Sequence, residues 1–176
     1  MVTGSLKEGN IGYIKITSFS KGAASETAKL LEKLNTENII IDLCNNPGGA
    51  HDELIGMFNL FAPKGPVLRV YMDGKKRTYF SDNHNFGKYR IAILVNKISA
   101  SAAEAFAGTM KDLDAAVIIG EKTYGKGTLS RLFEEKRRQG IVMSKGIYTT
   151  AAGTKINGIG VMPHIETKNE DEAYET

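Results

Sequence analysis

The sequence predicts an α/β fold with crossover connections, on three observations. Short β-branched runs alternate along the chain with segments of helical periodicity. Three of the runs, NIIIDL at 38–43, IAILV at 91–95 and AAVIIG at 115–120, are short and apolar enough to suit strands covered on both faces. Each is followed by a small-residue turn: NNPGG, NKISAS and GEKTYGKGT. In open α/β sheets ligands gather beyond the carboxyl ends of the strands. If the three strands are parallel neighbours, their turns share one rim, and a site is expected there.

The elements follow in order. IGYIKITSF (11–19) is β-branched and partly alternating, which predicts a strand. SETAKLLEKLN (25–35) places Ala28, Leu30, Leu31 and Leu34 at helical spacing, with Ser25 as the expected cap. After strand 38–43, CNNPGGAH (44–51) reads as a turn and DELIGMFNLF (52–61) as a second helix. PVLRVYMDG and KKRTYFS read as two strands meeting at Asp73-Gly74, a hairpin signal. Strand 91–95 leads to a helix over 101–113 and then to strand 115–120. LSRLFEE and GIVMSKGIYTT are expected to be strands joined through KRRQG, and GTKINGIGVMPHIE is a glycine-punctuated stretch. TKNEDEAYET (167–176) reads as a solvated, disordered acidic tail, which leaves 1–166 as a single domain.

Composition narrows the functions. With 23 basic and 20 acidic side chains the charge is nearly balanced, and no basic stripe with interleaved aromatics appears, so nucleic acid is not an expected partner. Three scattered histidines and the lone Cys44 give no zinc spacing, and no cofactor or metal is expected. No apolar run approaches the eighteen or so residues of a membrane span. MVTGSLKEGN lacks the regions of a signal peptide, which fits either a cytosolic protein or a piece of a longer, exported chain.

Two stretches carry candidate chemistry. In NKISASAAEAFAG (96–108), Ser101 and Glu104 fit the capping box S-x-x-E, and Ser101 also fits an exposed nucleophile at a helix start. GEKTYGKGT nearly spells a phosphate-binding loop, but Gly127 stands where the magnesium-binding hydroxyl belongs, and the following LSRLFEE alternates like a strand. Lys126 is alternatively a solvated turn residue, or a base for a serine hydroxyl. In the last case its amine, titrating near about 10.4 in water, must be held neutral. Burial lowers such a value by roughly 3–5 pH units, and Gly125 and Gly127 would let the backbone aim the side chain inward. His51, beside the glycine turn, is a lesser candidate for an imidazole base. Asp42 is expected to serve backbone N–H groups at its strand end, and Tyr124 to pack or to line the lysine loop.

Taken together and in order, DLCNNPGG, VNKISASAAEAFAGTMKD, IIGEKTYGKGT and YTTAAGTKINGIGVMPHIE closely resemble the C-terminal processing peptidases, or tail-specific proteases, over about Ile11 to Ile165. The resemblance implies a ClpP/crotonase-like α/β core of stacked strands with crossover helices. It implies a serine endopeptidase cleaving proteins or peptides near exposed C-terminal tails through a Ser-Lys dyad and an acyl-enzyme. Carried over residue by residue, Ser101 is the nucleophile and Lys126 the general base. Backbone N–H groups of Gly48, Gly49 and Ala102 form the oxyanion hole. It further implies an extracytoplasmic location, and a PDZ domain in a full-length parent from which this chain is an excised or minimal core. Some positions depart from the family pattern. Ser130 stands where a glutamine usually orients the dyad, Cys44 where an arginine is common, and Ala103 in place of a third serine. These departures keep open a second expectation, a catalytically weak or inactive peptide-binding scaffold of the same fold.

Overall fold

The computed structural model describes residues 1–135 and 139–167, with side chains described outside 130–145. The elements are β1 (Val2–Lys7), β2 (Ile11–Ile16), α1 (Ala23–Leu34), β3 (Asn38–Asp42), α2 (His51–Phe61), β4 (Gly65–Met72), β5 (Lys75–Ser81), β6 (Arg90–Val95), α3 (Ala102–Asp112), β7 (Val117–Gly120), β8 (Thr128–Glu135), β9 (Gln139–Thr150) and β10 (Ile165–Glu166). They form a six-stranded sheet in the order β1-β2-β3-β6-β7-β10 and a four-stranded sheet in the order β5-β4-β9-β8. Strands β2, β3, β6, β7 and β10 run parallel, so the three apolar strands are neighbours as expected, and their turns do share one rim. The second sheet is antiparallel throughout, and Asp73 and Gly74, both at positive φ, close its β4–β5 hairpin.

Alternation decides which face of the first sheet is covered. Ile14 and Ile16 on β2, Ile39 and Ile41 on β3, and Ile91, Ile93 and Val95 on β6 point into the main core. There they join Phe106 and the rings of Phe19, Phe58 and Phe61, which lie 5.5–6.3 Å from it. Helix α3 is the centre of this core. Every residue from Ala102 to Met110 is buried, and the helix packs against β7 of one sheet and β4 and β9 of the other. A helix wedged between two sheets has no room for large side chains all round, which is why five of its positions are alanine or glycine.

One expectation needs correction, and one strand was not foreseen. Helix α1 begins at Ala23, ahead of the expected cap Ser25, whose hydroxyl donates instead to the Gly22 carbonyl at 2.9 Å. The true cap comes from another helix: the Glu53 carboxylate accepts the N–H groups of Gly22 and Ala24 at 2.7 and 3.0 Å. Strand β1 carried no alternating pattern, because it is an edge strand whose only partly buried residue is Val2. Its register with β2 supplies the order instead. The tail expected over 167–176 lies outside the described residues from 168 onward, as do 136–138 of the β8–β9 connection.

Candidate active site

The rim at the carboxyl ends of β3, β6 and β7 is built from three turns that hydrogen-bond to one another. Ser99 is wholly buried and structural. Its hydroxyl donates to the Leu43 carbonyl at 2.8 Å and accepts the Asn96 N–H at 2.9 Å, joining the β6 turn to the end of β3. Asp42 serves the strand end as expected, accepting the Cys44 N–H at 2.8 Å, and it also meets Lys15 at 2.6 Å and the Tyr13 hydroxyl.

Ser101 closes the turn and opens α3. Its backbone sits at φ 57°, ψ −118°, a region that a residue with a β-carbon seldom occupies and that marks strained, functional positions. The carboxylate of Glu104 returns to the Ser101 N–H at 2.9 Å, as the capping box requires. Glu104 also does something that its local sequence did not announce. Fully buried, it accepts Thr123 Oγ1 at 2.5 Å and the Gly125 N–H at 2.6 Å on one oxygen, and the Lys126 N–H at 2.7 Å on the other. The oxygen that takes the Lys126 N–H also takes the Ser101 N–H, so the two main chains stand two hydrogen bonds apart.

Ser101, Ala102, Lys126, Gly49 and His51 line one cavity of about 340 Å³, whose apolar wall includes Leu54, Leu68 and Leu129. The residue that the sequence reading missed is Tyr148, which reaches this cavity from β9 of the second sheet. Its hydroxyl donates to the Lys126 carbonyl at 2.6 Å. Burial and the nearby Glu104 charge hold its phenol far above the usual range. No local pattern announces a residue whose role depends on a second sheet.

The lysine does not sit as expected. Gly125 and Gly127 are buried, but the Lys126 side chain is exposed at the cavity's edge. The fold anchors the backbone of this loop, through Glu104 and Tyr148, and leaves the amine free to reach out. Tyr124 is 71% exposed and is not among the residues lining the cavity; its N–H donates to Ser99 O at 3.1 Å. Thr128 begins strand β8, so the lysine loop lacks the helix N-terminus that phosphate binding needs, and the nucleotide alternative is overturned. Ser130 lies on β8 opposite Ser144, beside a register shift.

Of the three backbone donors expected from the resemblance, Gly48 is pressed against the serine, yet its N–H is engaged by Asn46 Oδ1 at 2.8 Å. Gly49 and Ala102 line the cavity, and among the described residues their N–H groups meet no protein acceptor. Gly48 has φ +101°, and a β-carbon there would stand 2.7 Å from Ser101 Cβ and 2.9 Å from Ala102 N. Gly48→Ala is therefore expected to destabilise the fold by roughly 2–4 kcal/mol through strain and overpacking, seen as a lower denaturant midpoint at unchanged slope. His51 heads α2 as an ordinary helix residue. Burial lowers its pKa, with Asp52 opposing, and its buried Nε2 has no hydrogen-bond partner among the described residues.

The sequence profile described as Peptidase family S41 matches residues 10–167. Carboxyl-terminal-processing peptidase 2, chloroplastic, of Arabidopsis thaliana is 36% identical over 87% of this chain and 31% of its own length. Carboxy-terminal processing protease CtpA of Bacillus subtilis is 34% identical over 96% of this chain and 37% of its own. This chain thus spans about a third of these relatives. Among solved structures, the photosystem II D1 C-terminal processing protease superposes with a TM-score of 0.83 at 26% identity, over 96% of this chain and 48% of that one. Tricorn protease shares the fold at a TM-score of 0.62 and 22% identity, over 92% of this chain and 16% of its own.

Proposed function

The chain belongs to peptidase family S41, and from that membership we propose that it is the core of a serine endopeptidase that cleaves proteins or peptides near exposed C-terminal tails with a Ser101–Lys126 dyad. The observation that carries this reading is that a strained serine heading a buried helix and the YGKG lysine line the same cavity. In the reaction, neutral Lys126 Nζ takes the proton of Ser101 Oγ as that oxygen attacks the substrate carbonyl. The oxyanion is held by the N–H groups of Ala102, at the positive end of α3, and Gly49. Gly48 joins them only if its N–H leaves Asn46. The tetrahedral adduct collapses, the leaving amine takes the proton from the lysine ammonium, and the acyl group remains on Ser101. Lys126 then deprotonates a water, which attacks the ester, and the proton returns to Ser101. Substrate backbone adds as a strand at the edge formed by β8, which begins beside the cavity at Thr128 and Leu129. A PDZ domain in the full-length parent and an extracytoplasmic workplace belong to the same reading.

A second reading has its own observation. With Lys126 exposed and Ser130 where a glutamine would orient the dyad, the core is a peptide-binding scaffold with little turnover. A fluorophosphonate probe separates the two. The protease reading expects one adduct, mapped by mass spectrometry to Ser101 and lost in both Ser101→Ala and Lys126→Ala. Peptide binding without any adduct at Ser101 across the pH range would leave the scaffold.

A further inference from the structure

We propose that Tyr148 is the positioning residue of the dyad, fixing the lysine loop beside Ser101 through the Lys126 carbonyl. The proposal rests on the protease reading above and concerns a side chain that this reading does not use. Tyr148 is 4% exposed and lines the cavity with both dyad residues. It grips the loop twice, its N–H donating to the Gly127 carbonyl at 3.0 Å and its hydroxyl to the Lys126 carbonyl at 2.6 Å.

A phenol has one proton to give, and here it is given to the Lys126 carbonyl. Burial and the adjacent Glu104 charge keep the phenol in its protonated form, so this grip is not lost to ionisation. One side chain from the second sheet thus holds the main chain of the base at the cavity that Ser101 lines, and Glu104 ties the same loop to the Ser101 N–H.

The test is Tyr148→Phe in the full chain, which keeps the ring and removes the hydroxyl. Active sites are counted by fluorophosphonate titration, and turnover of a peptide substrate is expressed per titrated Ser101. A positioning role expects per-site kcat to fall about 10–100-fold with KM within about twofold. A merely structural role would reduce the number of titratable sites and leave per-site kcat as in wild type, and that outcome overturns the proposal. A second measurement does not depend on the phenylalanine variant folding. In the wild-type chain carrying fluorotyrosine, one buried ¹⁹F resonance must shift when Ser101 is phosphonylated, and no shift overturns the proposal. If wild type is never labelled at Ser101, the protease reading falls and this inference with it. Labelling with undiminished per-site turnover in the variant defeats the inference alone.

Discussion

Lys126→Met is expected to lower kcat/KM for a peptide substrate by about 10²–10⁴-fold, the usual contribution of a positioned base. Ser101→Ala should lower it by about 10³-fold or more, to the residual rate supplied by binding and the backbone donors. The informative quantity is their combination. If amine and hydroxyl act on one proton, removing either removes the same step, and the double variant should be no slower than Ser101→Ala alone. Multiplying losses would mean that the two side chains contribute separately, and the dyad would have to be abandoned. Methionine keeps the length and the apolar stem of lysine, so a large loss cannot be assigned to packing. Circular dichroism melts of the three variants should lie close to wild type, because neither side chain is buried.

Glu104→Gln has the second large effect, and it strikes the fold and the site together. Both carboxylate oxygens are used, each by two donors: Ser101 N–H and Lys126 N–H on one, Thr123 Oγ1 and Gly125 N–H on the other. An amide can match only one of these pairs. Whichever way it turns, its NH₂ faces at least one buried N–H, since only the Thr123 hydroxyl can rotate to accept. A loss of about 2–4 kcal/mol follows from unsatisfied buried donors, a fall in melting temperature of several degrees for a chain of this size. The lysine loop is also released from the head of α3, so per-site turnover should fall by about 10²-fold. A glutamine variant that melts and turns over like wild type would show that Glu104 does not couple the two turns.

The parts of this fold that were legible in the sequence are those in which a residue's role is set by its neighbours along the chain. Apolar runs at 38–43, 91–95 and 115–120 became adjacent parallel strands, Asp73-Gly74 closed a hairpin, and Ser101 with Glu104 marked the start of α3. What was illegible depends on a partner from elsewhere. The N-terminus of α1 is capped by Glu53 of α2, so its own Ser25 misled. Glu104 carried a local cap signature but nothing to announce its hold on Gly125 and Lys126. Tyr148 enters the cavity only because β9 crosses from the other sheet. The lysine motif YGKG was plain, but the expected burial of its side chain was not met, because the backbone rather than the amine is what the surrounding groups secure.

The enclosure of α3 has a consequence for how such a centre can fail. A nucleophile carried on a surface loop can breathe while the body of a protein stays intact. Here the hydroxyl is mounted on a keystone held by both sheets, and the turns around it are tied to the same piece. Local fraying offers no cheap route to disorder, and accuracy at the reacting atoms is inherited from the architecture as a whole. Such a centre should stay sharp up to the temperature at which the sheets part, and vanish with them in a single step.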